Sequence, residues 1–216
     1  MVILSAILYF LTQHPMLAML ALFIVGIGTS ALLAKLRGHR GWYGLITPIF
    51  LFSQINFFTG HVLNALFLNA FGTTGSAVIV HSQETNSRLN DQYIWDHDAV
   101  LKTADVRDVV LQFNTMSASI YPIRNRILIP PENEPFVAKY IPGFERNIVI
   151  MSDESDYGKR IIVDQDRAPV EKAAGQYAVS PTNPAFIKEY RAASQAFIAK
   201  HRNDADPDVI QDYERE

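Results

Sequence analysis

Apolar residues fill the first 72 positions almost without interruption, then thin into short bursts separated by charge. The segment PMLAMLALFIVGIGTSALLAK (15–35) offers about nineteen consecutive uncharged residues, roughly 28 Å as helix and close to the depth of a hydrocarbon core. A buried helix of a soluble domain normally keeps a polar face. This segment has none, and it predicts a membrane span over about 16–35. The second run, WYGLITPIFLFSQINFFTGHVLNALFLNAF (42–71), would reach about 45 Å as one helix, more than a core of ~30 Å. It predicts a span over about 43–70 that tilts, bends near Pro48 or projects beyond the lipid, with Trp42 and Tyr43 as interfacial anchors. The leading MVILSAILYFLTQHP is too short to span and lacks the cationic start and cleavage site of a signal peptide. Ser5, Tyr9 and Thr12 draw one polar line along it. That pattern predicts an interfacial helix over 2–13 turning at Gln13-His14-Pro15, or else one kinked helix from 2 to 34.

The pattern after Gly72 is different. SAVIVHSQ, VRDVVLQFNT, RNRILIPP, PFVAKYIPG, RNIVIMSD and GKRIIVDQ read as short strands at about ten-residue spacing, several of them stopped by proline. Such strands predict a small antiparallel β-barrel or sandwich over 73–165, hinged to the second span at Gly72-Thr-Thr-Gly75. DQDRAPVEKAAGQYAVSPT reads as linker, and 166–216 as linker plus C-terminal helices. NPAFIKEYRAASQAFIAKHRND is one helix, with Asn183 as N-cap, Pro184 at the first position and Phe186, Tyr190, Ala193 and Phe197 on its apolar face. DPDVIQDYERE is a second, short one. The fold class is thus a membrane protein of α+β type: a transmembrane helical hairpin, a β-domain and C-terminal helices. The sheet is expected to be buried under the Phe186/Tyr190/Phe197 helix, so that a chain beginning near Thr73 folds by itself.

Charge sharpens the division. All 22 Asp and Glu follow Gly72, and only Lys35, Arg37 and Arg40 are charged before it. Positive loops stay cytoplasmic, so the turn of the hairpin belongs inside and both its outer ends outside. In a bacterial inner membrane this makes residues 73–216 periplasmic. The acidic remainder offers no basic stripe for nucleic acid. With no cysteine, disulfide scaffolds and thiolate metal sites are excluded.

The second span is unusually polar. Gln54, His61 and Asn64 follow at seven and three residues, with Thr47 one heptad earlier and Ser53, Asn56 and Gly60 beside them. Lipid offers nothing to an amide or imidazole, so these groups must face protein or water. On the first span, Gly26, Ser30 and Ala34 line small side chains along one face where a helix can approach closely. The partner-binding candidates inside the membrane are therefore Thr47, Gln54, Asn56, His61, Asn64, Gly26, Ser30 and Ala34. They face another membrane protein or a second copy of the chain, each other, or, least favoured, a polar conduction path.

GTTGSAVIVHSQ together with PFVAKYIPGFERNIVI resembles the membrane-associated β-domains grouped as DUF3592-like, over about residues 72–151. The resemblance implies a small β-barrel and an envelope role, and it supplies no active site. Glu145-Arg146 stands where that pattern has a second proline, and both spans precede the domain instead of flanking it.

Candidate chemistry is sparse. WDHD (95–98) is the densest polar cluster. On a strand, Asp96 and Asp98 share one face and His97 takes the other, so the three cannot hold one metal. In a loop they could, with His81 or His201 completing the set; a solvated turn is the plainer reading. His61 alone, with no intramembrane carboxylate, makes a poor proton relay. No nucleophile elbow, zinc-protease, P-loop or dinucleotide fingerprint is present, and no cofactor is implied. These observations point to a non-enzymatic, membrane-anchored subunit of an envelope complex with a secretion, envelope or immunity-type role. The competing class is a membrane-anchored hydrolase or metal-dependent enzyme with its site in the β-domain.

Overall fold

The computed structural model describes residues 1–89 and 91–215. Its order is three helices, six strands and three helices. The chain divides into two compact units, Met1–Ser152 and Asp153–Glu216.

In the first unit, α1 (Val2–Gln13) and α2 (Pro15–Arg37) are separate helices. His14 leaves helical geometry at φ −127° and ψ 60°. A residue before proline is pushed out of the α region, and Pro15 suits a first helical position because its missing N–H has no partner there. At the other end α2 stops on Gly38 at φ 62°, with Lys35 and Arg37 in its last turn against the exposed carbonyls. A 3-10 turn (Arg40–Leu45) leads into α3 (Ile46–Phe71), which is one unbroken helix across Pro48. The apolar windows of α2 and of the Arg40–Phe71 stretch are only 17% buried, so both present apolar surface outward, and both are long enough to cross a bilayer.

The sheet is open and mostly antiparallel, in the order β3-β2-β1-β5-β6-β4. Its strands are β1 (Thr73–Leu89), β2 (Gln92–Lys102), β3 (Asp108–Asn114), β4 (Ile120–Tyr121), β5 (Pro135–Ile141) and β6 (Phe144–Met151). Among the strands of the described residues, β4 and β6 alone pair in parallel. It is neither a closed barrel nor a sandwich, although it curls enough to bring β3 against β6. Ala77, Ile79, Ala99, Leu101, Leu111, Phe136, Ala138, Tyr140 and Ile150 are all almost completely buried. On β5 and β6 a second apolar set forms. Ile141, Val149 and Met151 pack with Ala65, Phe67 and Leu68 from the end of α3, and Leu8 of α1 joins them. The N-terminal helices therefore cover this part of the sheet, while Phe197 packs within the second unit against Val170, Ile198 and Ile210.

The Gly72–Gly75 segment is no hinge, because one residue separates α3 from β1 and Gly75 already pairs with Ala138. A Cβ on Gly72 would lie 2.4 Å from the Leu68 carbonyl oxygen, and one on Gly75 would lie 2.8 Å from that of Lys102. Crowding, not freedom, explains these glycines. RNRILIPP forms no strand; Pro130 and Pro131 withhold donors a ladder needs. Val106 sits at φ 63° in the turn before β3. WDHD lies in β2, where Asp96 and Asp98 point outward while His97, Ala99 and Leu101 point in.

The second unit is helical. GKRIIVDQ and the expected linker together form α4 (Asp156–Val179), with Pro169 inside it. Ile161-Ile162-Val163 looks β-like locally, yet Val163, Val170 and Ala173 recur at helical spacing, and Val163 and Val170 pack in one cluster with Phe197, Ile198 and Ile210. The latter come from α5 (Pro184–His201) and α6 (Pro207–Arg215). Asn183 caps α5 by accepting from the Ala185 N–H, as its sequence predicts. Asp166 bonds Lys200 Nζ at 2.6 Å and His201 Nε2 at 2.7 Å, tying α4 to α5. The Lys200 bond first, and His201 after it, hold the Asp166 carboxyl below its ordinary value.

Candidate functional site

The polar residues of the hairpin separate into two groups. Gly26, Ser30 and Ala34 are buried along α2, and the contact that buries Gly26 is α3. A Cβ at Gly26 would stand 2.5 Å from Cγ2 of Ile49, and Phe23 meets Phe50 edge to face. The small-residue face thus seats α2 on α3. Ser53, Asn56, Gly60 and Asn64 form the buried line of α3. Asn56 Nδ2 reaches the Leu11 carbonyl at 3.5 Å.

Asn64 belongs to a buried network that joins three elements. Its Nδ2 donates to Ser119 Oγ and to Asn147 Oδ1, both at 2.8 Å. Asn147 Nδ2 in turn donates to Asn64 Oδ1 at 2.8 Å and to the carbonyl and hydroxyl oxygens of Ser5 at 3.1 and 3.0 Å. Two carboxamides locked face to face in an apolar joint fix the register of α1 and α3 on β6. A buried amide left unpaired would cost about 1–3 kcal/mol. Sequence reasoning found Asn64 and Ser5 but not Asn147 or Ser119. The available signal was a lone Asn inside the apolar run NIVIM.

Thr47, Gln54 and His61 are the other group. Spaced at exact heptads, they share a line that the chain leaves partly or wholly uncovered. Other hydroxyls of the helices satisfy themselves: Thr12, Ser30 and Thr59 each donate to the carbonyl four residues back, and Ser53 to that three back. Gln54 and His61 make no side-chain hydrogen bond among the described residues.

Outside the hairpin, His97 Nδ1 lies 2.9 Å from Ser82 Oγ across the β1–β2 pair. The ring stacks tilted on Phe113 at 5.3 Å, and Nε2 is buried without a partner. Desolvation lowers its pKa from the ordinary 6.5, partly offset by Asp96 and Glu132. A cleft of about 290 Å³ beside it gathers Tyr9, Gln13, His14, Asp96 and Asp98. With Asp96 and Asp98 on the opposite face from His97, no group of three or more metal-ligating side chains occurs among the described residues. His81 is exposed on β1, and His201 is engaged with Asp166 in the second unit.

Chemically, the site offers hydrogen-bond capacity inside an apolar helix surface, rigidly coupled to a sheet. No family model, no curated protein and no solved structure matches this chain.

Proposed function

We propose that the chain is a non-enzymatic, membrane-anchored subunit. Its α2–α3 hairpin spans the bilayer and binds a membrane protein partner, or a second copy, along Thr47, Gln54 and His61. The membrane reading is supported by two long apolar helices whose windows are only 17% buried, whereas the core helix of a soluble protein would be mostly covered. The cations at the turn of the hairpin favour a cytoplasmic turn and an external sheet, periplasmic if the membrane is a bacterial inner one. The observation that carries the partner reading is Gln54, an amide inside a span with no side-chain hydrogen bond among the described residues. A group of this kind in hydrocarbon costs several kcal/mol, and interhelical hydrogen bonds return about 0.6 to 2 kcal/mol each. Because α3 passes directly into the sheet, a helix held there would be held in fixed relation to the external domain.

The test is Gln54→Leu combined with His61→Leu. Both changes raise hydrophobicity, so the protein should stay in the membrane fraction while crosslinking in cells to its partner, or to itself, falls. Wild type that runs as a lone monomer and captures nothing would overturn the reading. One observation favours a second reading, a membrane-anchored hydrolase: the Ser82–His97 contact at 2.9 Å. Labelling of Ser82 by a fluorophosphonate would decide for it.

A further inference from the structure

We propose that a groove between the middle of α3 and the segment after β3 holds an anionic glycerophospholipid from the leaflet on the side of the sheet. This rests on the membrane reading above. The groove has a volume of about 170 Å³, with Phe57, Phe58 and Val62 of α3 on one wall and Ile123 and Ile127 on the other. Leu89, near the end of β1, closes it. Phe58 is 72% exposed, Ile127 54% and Ile123 44%, so the walls continue into open apolar surface and do not shut over the space. An acyl chain can enter the groove and follow α3 outward.

The charges specify the headgroup. Arg124 and Arg126 line the groove, and no carboxylate does. Arg124 Nη1 donates to Ser152 Oγ at 3.3 Å, which ties this segment to the end of β6. Arg126 is exposed and makes no hydrogen bond or ion pair among the described residues. It is free to take a phosphate oxygen, and a guanidinium forks onto phosphate with two parallel bonds. A zwitterionic headgroup brings its own cation to a wall with no acid to receive it, which leaves a net negative lipid as the occupant. The depth agrees. Asn56 reaches Leu11, and Phe57, Gly60 and His61 lie beside Pro15, so this stretch of α3 is level with the end of α2 that faces the sheet. On the β1–β2 hairpin, Tyr93 and Trp95 are exposed, with the Arg88 guanidinium 4.0 Å from the Tyr93 ring centre. Such residues populate the headgroup level.

The full chain is reconstituted in phosphatidylcholine vesicles carrying either a photoactivatable phosphatidylglycerol or the matching photoactivatable phosphatidylcholine. Labelled peptides are then mapped. Phosphatidylglycerol should label residues 57–62 and 122–127, and Arg126→Gln should reduce that labelling about fivefold, the worth of one basic side chain at an anionic surface. Equal labelling by both lipids, or unchanged labelling in Arg126→Gln, overturns the lipid site while leaving the anchor intact. Carbonate extraction of the same vesicles reads the anchor separately: release of wild type would overturn both.

Discussion

His97 is the residue whose surroundings most constrain a measurable property. Its ring is pressed on Phe113 with Nε2 buried and unpartnered, so burial disfavours the charged form more than Asp96 and Glu132 favour it. The folded pKa therefore lies below the unfolded value of 6.5. In that window the unfolded chain binds more protons, so stability rises with pH. The contribution is fully present above the unfolded pKa and is lost as pH falls through the folded one. Detergent-solubilised wild type should show a thermal midpoint that drops between about pH 7.5 and pH 5.5, where histidine titrates. His97→Gln should be nearly flat across the same interval. A wild-type midpoint that is level there, or one whose slope survives the substitution, would show that the ring is not desolvated.

At the level of elements, the close seat of α2 on α3 depends on a missing side chain. Gly26→Val would drive branched carbons into Ile49, whose Cγ2 would be 2.5 Å from a Cβ there. Ile49 must turn away or the two helices must part, and either costs packing. Gly28 has nothing within 4 Å of its would-be Cβ. Gly28→Val thus controls for the general effect of adding a branched residue to the helix. We expect Gly26→Val to lower the midpoint by the equivalent of about 1–3 kcal/mol of overpacking and Gly28→Val to change it by less than a third of that. Equal effects would mean that the helices do not meet at Gly26. This seat was legible in the sequence as the Gly26/Ser30/Ala34 repeat, although the repeat did not reveal that the covering helix is α3. The two long apolar helices, the break at His14-Pro15, the strands β1, β3, β5 and β6 and the cap at Asn183 were legible too, because each rests on local pattern or backbone chemistry. The strand β2 was not. Its inward positions are His97, Ala99 and Leu101, too small and too polar to mark a core face against Asp96 and Asp98. For α4, three consecutive β-branched residues and Pro169 argue against helix locally, and the tertiary cluster around Val170 and Phe197 overrides them. The Asn64–Asn147 pair stayed hidden because its members are 83 residues apart and neither has a sequence neighbour that hints at the other.

Across the whole first unit, the N-terminal helices and the sheet are one cooperative object, because α1 and α3 supply the cover of β5 and β6. Removing residues 1–72 would uncover Ile141, Val149 and Met151, and would strip Asn147 of both Asn64 and Ser5. Three such apolar side chains are worth about 1.5–3 kcal/mol each when buried. Their exposure alone removes an amount comparable to the net stability of an ordinary domain, about 5–15 kcal/mol. The unpaired Asn147 does not offset this, since in water it regains its hydrogen bonds without restoring the packing. The prediction is that a chain beginning at Thr73 is aggregated or binds a hydrophobic dye with no cooperative melt. Residues 1–152, extracted in a neutral detergent, should keep a cooperative transition, because that stretch holds every contact just named. A soluble, monomeric, cooperatively melting chain from Thr73 would show that the sheet does not need its N-terminal helices, and the rigid coupling invoked in the proposed function would fall with it.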